Sequence, residues 1–288
     1  MSFIKSVIKK FLNFFGFELV GLKSFHQDIR IHKKCQSEKA ETEICLNKIL
    51  FMLSKSTTID ENNFSIEGFI NFCSHKVLKS KSQIFQDLFI LYFFNEKKNG
   101  FFVEFGATNG VDLSNTFLLE KNYEWEGIVA EPGRIWESEL KKNRNCYIDT
   151  RCVWTTSGNT MKFNETTVAE LSSLHLFSNE DFLSTQRIQH ATYDVTTVSL
   201  NDLLLNYKAP FEIDYLSIDT EGSELEILQA FDFEKYCIKV ITVEHNFTLK
   251  RQQIFELLSE KGYQRVFSKI SLFDDWYIKN NFLQKTFF

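Results

Sequence analysis

FFVEFGATNGVDLSNTFLLE, residues 101–120, decides the fold. The apolar run 101–105 leads straight into Gly106-Ala107-Thr108-Asn109-Gly110, which reads as a buried strand ending in a tight turn. Ser114-Asn115-Thr116 then reads as the start of a helix, with Asn115 placed either to cap it or to touch a ligand. Strand, glycine turn and helix open a parallel α/β unit, in which ligands bind beyond the carboxyl ends of the strands. Gly106 and Gly110 let backbone approach a ligand closely. A phosphate-binding G-x-G-x-x-G would need glycine where Glu104 stands; a carboxylate there repels pyrophosphate and welcomes an ammonium or sulfonium group. The turn therefore favours S-adenosylmethionine over a nicotinamide dinucleotide.

Outward from this turn, short β-rich runs alternate with helical ones. Strands are expected over 101–105, 127–130, 146–153, 213–218 and 239–243, with helices opening near Ser114, Arg134, Ser223 and Thr248. Further strands are expected over 193–198, 263–267 and 276–279, the last antiparallel at the sheet edge. The second strand ends in Ala130-Glu131-Pro132, and Glu131 lies 131 − 104 = 27 residues beyond Glu104, about where an acidic side chain takes the two ribose hydroxyls of a nucleoside.

Residues 1–80 differ: they are helix-patterned and form an N-terminal helical extension before a domain over 81–288. Ile4, Val7, Ile8, Phe11, Leu12 and Phe15 make one apolar stripe, with lysines on the opposite face. Such a helix over residues 1–20 can lie on an anionic membrane surface, dock on its own subunit or make a homodimer contact. A second helical stretch is expected over 25–53. The apolar run 11–22 is too short and too interrupted for a membrane span. With 33 basic against 38 acidic side chains there is no electrostatic footprint for nucleic acid. The six cysteines show neither C-x-x-C pairs nor zinc spacing, which points to a reducing cytoplasm, with the inner membrane face as a second location.

Several stretches together resemble the FkbM-type family of S-adenosylmethionine-dependent O-methyltransferases: SQIFQD (82–87), residues 101–120, WEGIVAEP (125–132), DYLSIDTEGSELEILQAFDF (214–233), VITVEHN (240–246) and Gly262-Tyr263. The resemblance covers about 200 residues, from Ser80 onward, and leaves the extension out. It implies a seven-stranded Rossmann-like class I methyltransferase sheet. For the cofactor it implies Gln86, Glu104, Gly106, Gly110, Asn115, Glu131, Pro132 and Asp219, with Arg151 and Cys152 flanking the adenine.

The reacting end is expected at Asp219-Thr220-Glu221-Gly222 and Glu244-His245-Asn246, which follow apolar strands and set carboxylates and an imidazole around one rim. Methyl transfer to oxygen needs an in-line hydroxyl and removal of its proton. His245 has the ordinary pKa for that role, with Asp219 or Glu221 as rivals. Asp219, Glu244 and His245 also suit a divalent metal, magnesium or manganese. Among the other histidines, His175 stands out, because it follows Leu171-Ser172-Ser173-Leu174, a segment expected to cover the acceptor pocket. The resemblance implies a sugar hydroxyl as acceptor, on a nucleotide-linked or polymer-bound sugar of a bacterial surface polysaccharide. The competing functions are a nicotinamide-dependent oxidoreductase, disfavoured by Glu104, and a non-catalytic docking subunit that retains the fold.

Overall fold

The computed structural model describes residues 36–55, 65–177 and 189–283. The apolar stripe of residues 4–15 lies outside them. The chain divides into two compact units, Met1–Ser80 and Lys81–Phe288. In the first, α1 (Gln36–Lys55) packs on α2 (Ile66–Ser74), which is capped by the Ser65 hydroxyl accepting from the Gly68 amide at 3.0 Å. The described part of the expected helix over 25–53 thus begins at Gln36.

The second unit begins with α3 (Gln86–Phe93) and β1 (Phe101–Phe105), then α4 (Phe117–Tyr123), β2 (Glu126–Ala130), α5 (Glu137–Asn143) and β3 (Tyr147–Asp149). Next come β4 (Cys152–Trp154), β5 (Thr160–Thr166), β6 (Ser173–Leu174), β7 (Gln189–Ser199) and α6 (Leu200–Asn206). The unit continues through β8 (Glu212–Ile218), α7 (Glu224–Ala230), β9 (Cys237–Glu244), α8 (Lys250–Glu260), β10 (Tyr263–Val266), β11 (Asp274–Lys279) and α9 (Asn280–Leu283).

A seven-stranded sheet has the order β10-β11-β9-β8-β1-β2-β3, parallel except at β11, which runs antiparallel to both neighbours. This is the expected α/β sheet, with two differences. The last strand, β11, is antiparallel but inserted between β9 and β10, so that β10 holds the edge. The expected strand 146–153 breaks in two. The Asp149 carboxylate accepts from the Arg151 amide (2.8 Å), Nε (3.0 Å) and Nη2 (2.6 Å), turning the chain so that β3 stays in the large sheet while β4 leaves it. With β7, β5 and β6, β4 forms a second, four-stranded sheet of order β4-β7-β5-β6. Its strand β5 was not expected, because TMKFNET mixes polar side chains into what becomes an antiparallel ribbon with β7.

The large sheet's central strands are buried on both faces and read accordingly as near-continuous apolar runs. Val103, Leu216 and Ile241 join Leu203, Leu228 and Leu258 from the helices in one core. At the opposite end from the ligand side, Asp214 is buried and accepts from Lys97 Nζ (2.8 Å), Lys239 Nζ (2.9 Å) and the Phe101 amide (3.0 Å), which ties the starts of β1, β8 and β9 together. No helix among the described residues is long and apolar enough to cross a membrane.

Burial alone would raise the Asp214 pKa, but the two ammonium groups and the amide outweigh it and hold the carboxyl below 3.8. A lowered native pKa contributes stability at neutral pH that is lost as pH falls through it. Asp214→Asn is therefore expected to cost about 1–3 kcal/mol at pH 7 in urea unfolding. The gap to wild type should shrink as pH drops through the ordinary aspartate range and below it. A gap that stays constant with pH would contradict the charge-based account.

Candidate active site

The turn after β1 is shaped by contact with the turn after β8. Gly106 has φ +74°, and a Cβ there would lie 1.9 Å from the Asp219 carbonyl oxygen, so any side chain would force the two strand ends apart. Glu104, one turn below, accepts from Ser114 Oγ (3.0 Å), the Asn115 amide (2.6 Å), Thr116 Oγ1 (2.6 Å) and Arg144 Nη1 (3.3 Å). Arg144 is buried and also donates to the Gly110 carbonyl (3.3 Å) and to Thr116 Oγ1 (2.8 Å). Gly110 thus belongs to the back of the site: a Cβ there would strike Arg144 and Leu140 at 2.7 Å, and the residue does not line the cleft.

Above these strand ends opens a cleft. Glu104, Gly106, Asn115, Glu131, Pro132, Cys152 and Asp219 all line it, as the sequence led one to expect. Gln86 and Arg151 do not. Gln86 is buried, donating to Asp274 Oδ2 at 2.8 Å and accepting from the Ile84 amide, and Arg151 is held by Asp149. The small sheet supplies the other wall through Phe163, Leu171, Ser172 and Leu174, so the 171–174 segment does cover the cleft. His175 instead turns to Asn164, 2.8 Å from its Nδ1. Gln83 and Trp136 also line the cleft and were missed by sequence reasoning; Gln83 sits inside a quoted family stretch, whereas nothing marked Trp136.

The N-cap residue of α4 is Thr116, and the Ser114 hydroxyl just upstream accepts from the Thr116 and Phe117 amides, which leaves the Asn115 side chain free of that duty. Asn115 Nδ2 donates to Ser217 Oγ (2.9 Å), while Oδ1 is buried with no partner. Glu131 accepts from the Thr108 (3.0 Å) and Gly133 (2.6 Å) amides. Burial nevertheless pushes its pKa up to about 7, with Glu104 adding to the rise against the two amides.

Beyond the ends of β8 and β9, carboxylate oxygens of Asp219, Glu221 and Glu244 lie within 4.8 Å of one another. Burial, and then the nearby carboxylates of Asp274 and Glu224, push Asp219 up to about 8, opposed by its hydrogen bond with Glu244. Glu244 is likewise held well above the usual range by burial and the surrounding carboxylates. His245 stands apart from this set. Its Nδ1 accepts from the Phe247 amide (3.0 Å), which places the ring proton on Nε2, 3.8 Å from Asp275 Oδ1. Burial lowers its pKa to about 4 despite Asp275, whose charge is met by Arg251 (2.8 Å) and Arg265 (3.1 Å). A neutral ring whose lone pair already holds an amide is a poor base. The converging set for a cation likewise has Glu221 where His245 was expected.

The profile of the methyltransferase FkbM domain matches residues 104–265. The chain belongs to the FkbM methyltransferase family. No curated protein matches it. Among solved structures, the FkbM chain is similar to the precorrin-6y C5,15-methyltransferase of Geobacter metallireducens GS-15, with 12% identity and TM-score 0.34 over 62% of this chain and 70% of that one. It is also similar to a fibrillarin/Nop5p complex (15% identity, TM-score 0.28, 62% and 71% covered) and to the CurJ carbon methyltransferase (9% identity, TM-score 0.31, 85% and 71% covered).

The FkbM cleft fits S-adenosylmethionine. Glu104, Glu131, Glu170, Asp219 and Glu221 line it, no lysine or arginine does among the described residues, and the Asn115 oxygen waits for a donor. Asn115→Leu is expected to weaken S-adenosylhomocysteine binding about tenfold or more in calorimetry, the scale of one hydrogen bond to a charged donor, whereas Arg151→Ala leaves it nearly unchanged. Glu131→Gln tests burial separately. A raised carboxyl pKa costs the folded state stability as pH rises from 4.5 through 7, so the ligand-free variant should match wild type near pH 5 and melt higher at pH 8. Parallel melting curves at both pH values would show that Glu131 is not desolvated as described.

Proposed function

We propose that this chain is an S-adenosylmethionine-dependent O-methyltransferase acting on a sugar hydroxyl, on a nucleotide-linked or polymer-bound sugar of a bacterial surface polysaccharide. The observation that carries the transfer chemistry is the convergence of Asp219, Glu221 and Glu244 at one end of a cleft whose other lining suits a cationic cofactor. The sugar as acceptor is supported by the family resemblance alone, since fold does not fix substrate.

Bound S-adenosylmethionine supplies an electrophilic methyl group on a sulfonium. The chain's own residues hold and orient. Asn115 Oδ1 accepts from the ammonium group, Glu131 from the ribose hydroxyls, and the bare backbone of Gly106 lets the ligand lie against the strand ends. Asp219 takes the acceptor hydroxyl's proton at its carboxylate, and Glu244, hydrogen-bonded to it, shares that proton. A carboxyl whose pKa is raised toward neutrality is a stronger base than an ordinary one.

A second reading of the same oxygens is a magnesium or manganese ion held by Asp219, Glu221 and Glu244, a donor set of hard oxygens that suits either ion. The ion would acidify the acceptor hydroxyl. We place the protein in the cytoplasm, with residues 1–20 as a peripheral membrane or homodimer contact.

With labelled S-adenosylmethionine and a panel of sugars and surface glycans, Asp219→Asn is expected to lower turnover by about two orders of magnitude, while His245→Ala stays within about tenfold of wild type. The opposite ranking would return the base to His245. Loss of activity in EDTA, restored by magnesium or manganese, would select the metal reading. Deletion of residues 1–20 should abolish binding to anionic vesicles in sedimentation, or failing that lower the mass per particle in light scattering; if neither changes, both proposed contacts fall.

A further inference from the structure

The FkbM chain leaves β9 through a clamped turn. The His245 and Asn246 amides donate to the Phe273 carbonyl (2.8 and 3.2 Å), the Thr248 amide and Oγ1 to the His245 carbonyl (2.8 and 2.9 Å), and the Phe247 amide to His245 Nδ1 (3.0 Å). Asn246 and Phe247 both take left-handed backbone, with φ +42° and +56°, which costs energy in a residue with a Cβ and persists only where the surroundings enforce it. The Phe247 side chain is therefore 61% exposed yet held in place, its ring T-shaped to the buried His245 ring at 5.4 Å. Leu249, two residues on, is 94% exposed. On either side of Phe247, Asn246 and Thr248 line a small void together with Phe177, Glu221 and Glu244. Glu221 also lines the cleft, so the void and the cleft meet at that residue.

We propose that Phe247 is the platform on which the acceptor sugar lies, with one hydroxyl turned toward the void and its carboxylates, and that His245 is the positioning residue that sets the platform. This rests on the sugar methyltransferase reading above and deepens it. A sugar ring carries an apolar face of C–H groups besides its hydroxyls, and the negative face of an aromatic ring attracts such groups while both lose water. Phe247 stands outside the lining of the cleft and between two residues that line the void, so a ring stacked on it approaches Glu221 and Glu244 from another side than a ligand of the cleft, as in-line transfer requires. Because the turn is already ordered, stacking costs little of the freedom that a loose loop would lose. The buried imidazole gains a task other than proton transfer: its Nδ1 holds the Phe247 amide and its ring packs against the Phe247 ring.

The test is saturation-transfer NMR on the full-length protein saturated with S-adenosylhomocysteine, with the aromatic protons irradiated. The probes are the methyl glycosides of glucose, galactose, N-acetylglucosamine, mannose and rhamnose. At least one is expected to receive saturation, concentrated on the protons of one ring face. Phe247→Ala should lower that transfer about three- to tenfold, the scale of one aromatic contact, and Phe247→Trp should keep it. His245→Ala should lower it to a similar extent, whereas His245→Asn, whose side-chain carbonyl still accepts from the Phe247 amide, should restore most of it. Calorimetry with S-adenosylhomocysteine is expected to give wild-type affinity for all four variants. Silence from every glycoside, saturation spread evenly over the sugar ring, transfer that survives Phe247→Ala, or loss of S-adenosylhomocysteine binding in Phe247→Ala would each overturn the platform. A loss in His245→Asn as deep as in His245→Ala would overturn the positioning role. If S-adenosylhomocysteine does not bind the wild-type protein, it is the methyltransferase reading that fails, and the platform falls with it.

Discussion

Everything on the ligand side hangs on the Glu104–Arg144 contact. Glu104 leaves β1 as a buried carboxylate, and Arg144, at the end of α5, brings a buried guanidinium to it while also holding Glu120, Thr116 and the Gly110 carbonyl. The pair therefore fixes the loop between β1 and α4 from behind, and that loop presents Asn115 and Gly106 to the cleft. Removing one partner of such a buried pair typically costs about 3–5 kcal/mol, because the other charge stays stranded. The neighbouring Asn143 holds the same loop through its Nδ2, which donates to the Asn109 carbonyl (2.9 Å), so the end of α5 fixes the loop at two points.

The parallel sheet was legible because its strands are short apolar runs that end in glycine or acid, and the pattern of β1, β2, β8 and β9 survives in the structure to within two residues at either end. What sequence hid was the small sheet. Its strand β5 carries polar side chains through a ribbon that is half solvated, and the break at Asp149–Arg151 depends on a side chain folding back on its own backbone, which periodicity does not record. The part of the cleft wall formed by Phe163, Ala169 and Glu170 was therefore absent from the sequence reading.

The site residues divide along the same physical line. Glu131 and Asp219 were found because an acid at a strand end is a local feature. Gln86, Gly110 and Arg151 were implied by the family resemblance, and the structure sets them against Asp274, Arg144 and Asp149 respectively, outside the lining of the cleft. His245 shows the limit most clearly. An ordinary imidazole pKa made it the natural base, but burial and the Phe247 amide fix both its charge and its lone pair, and neither partner is visible in the run Glu244-His245-Asn246.

Cys152 lines the cleft at the start of β4, its thiol buried and pushed up to about 12 by loss of water and by Glu131 nearby. A thiolate is a far better nucleophile than any hydroxyl, and a sulfonium methyl donor would alkylate it. Held protonated by the same desolvation, the sulfur would be a weak nucleophile toward any sulfonium donor bound in the cleft, so a small, apolar side chain can line that wall without competing for the methyl group.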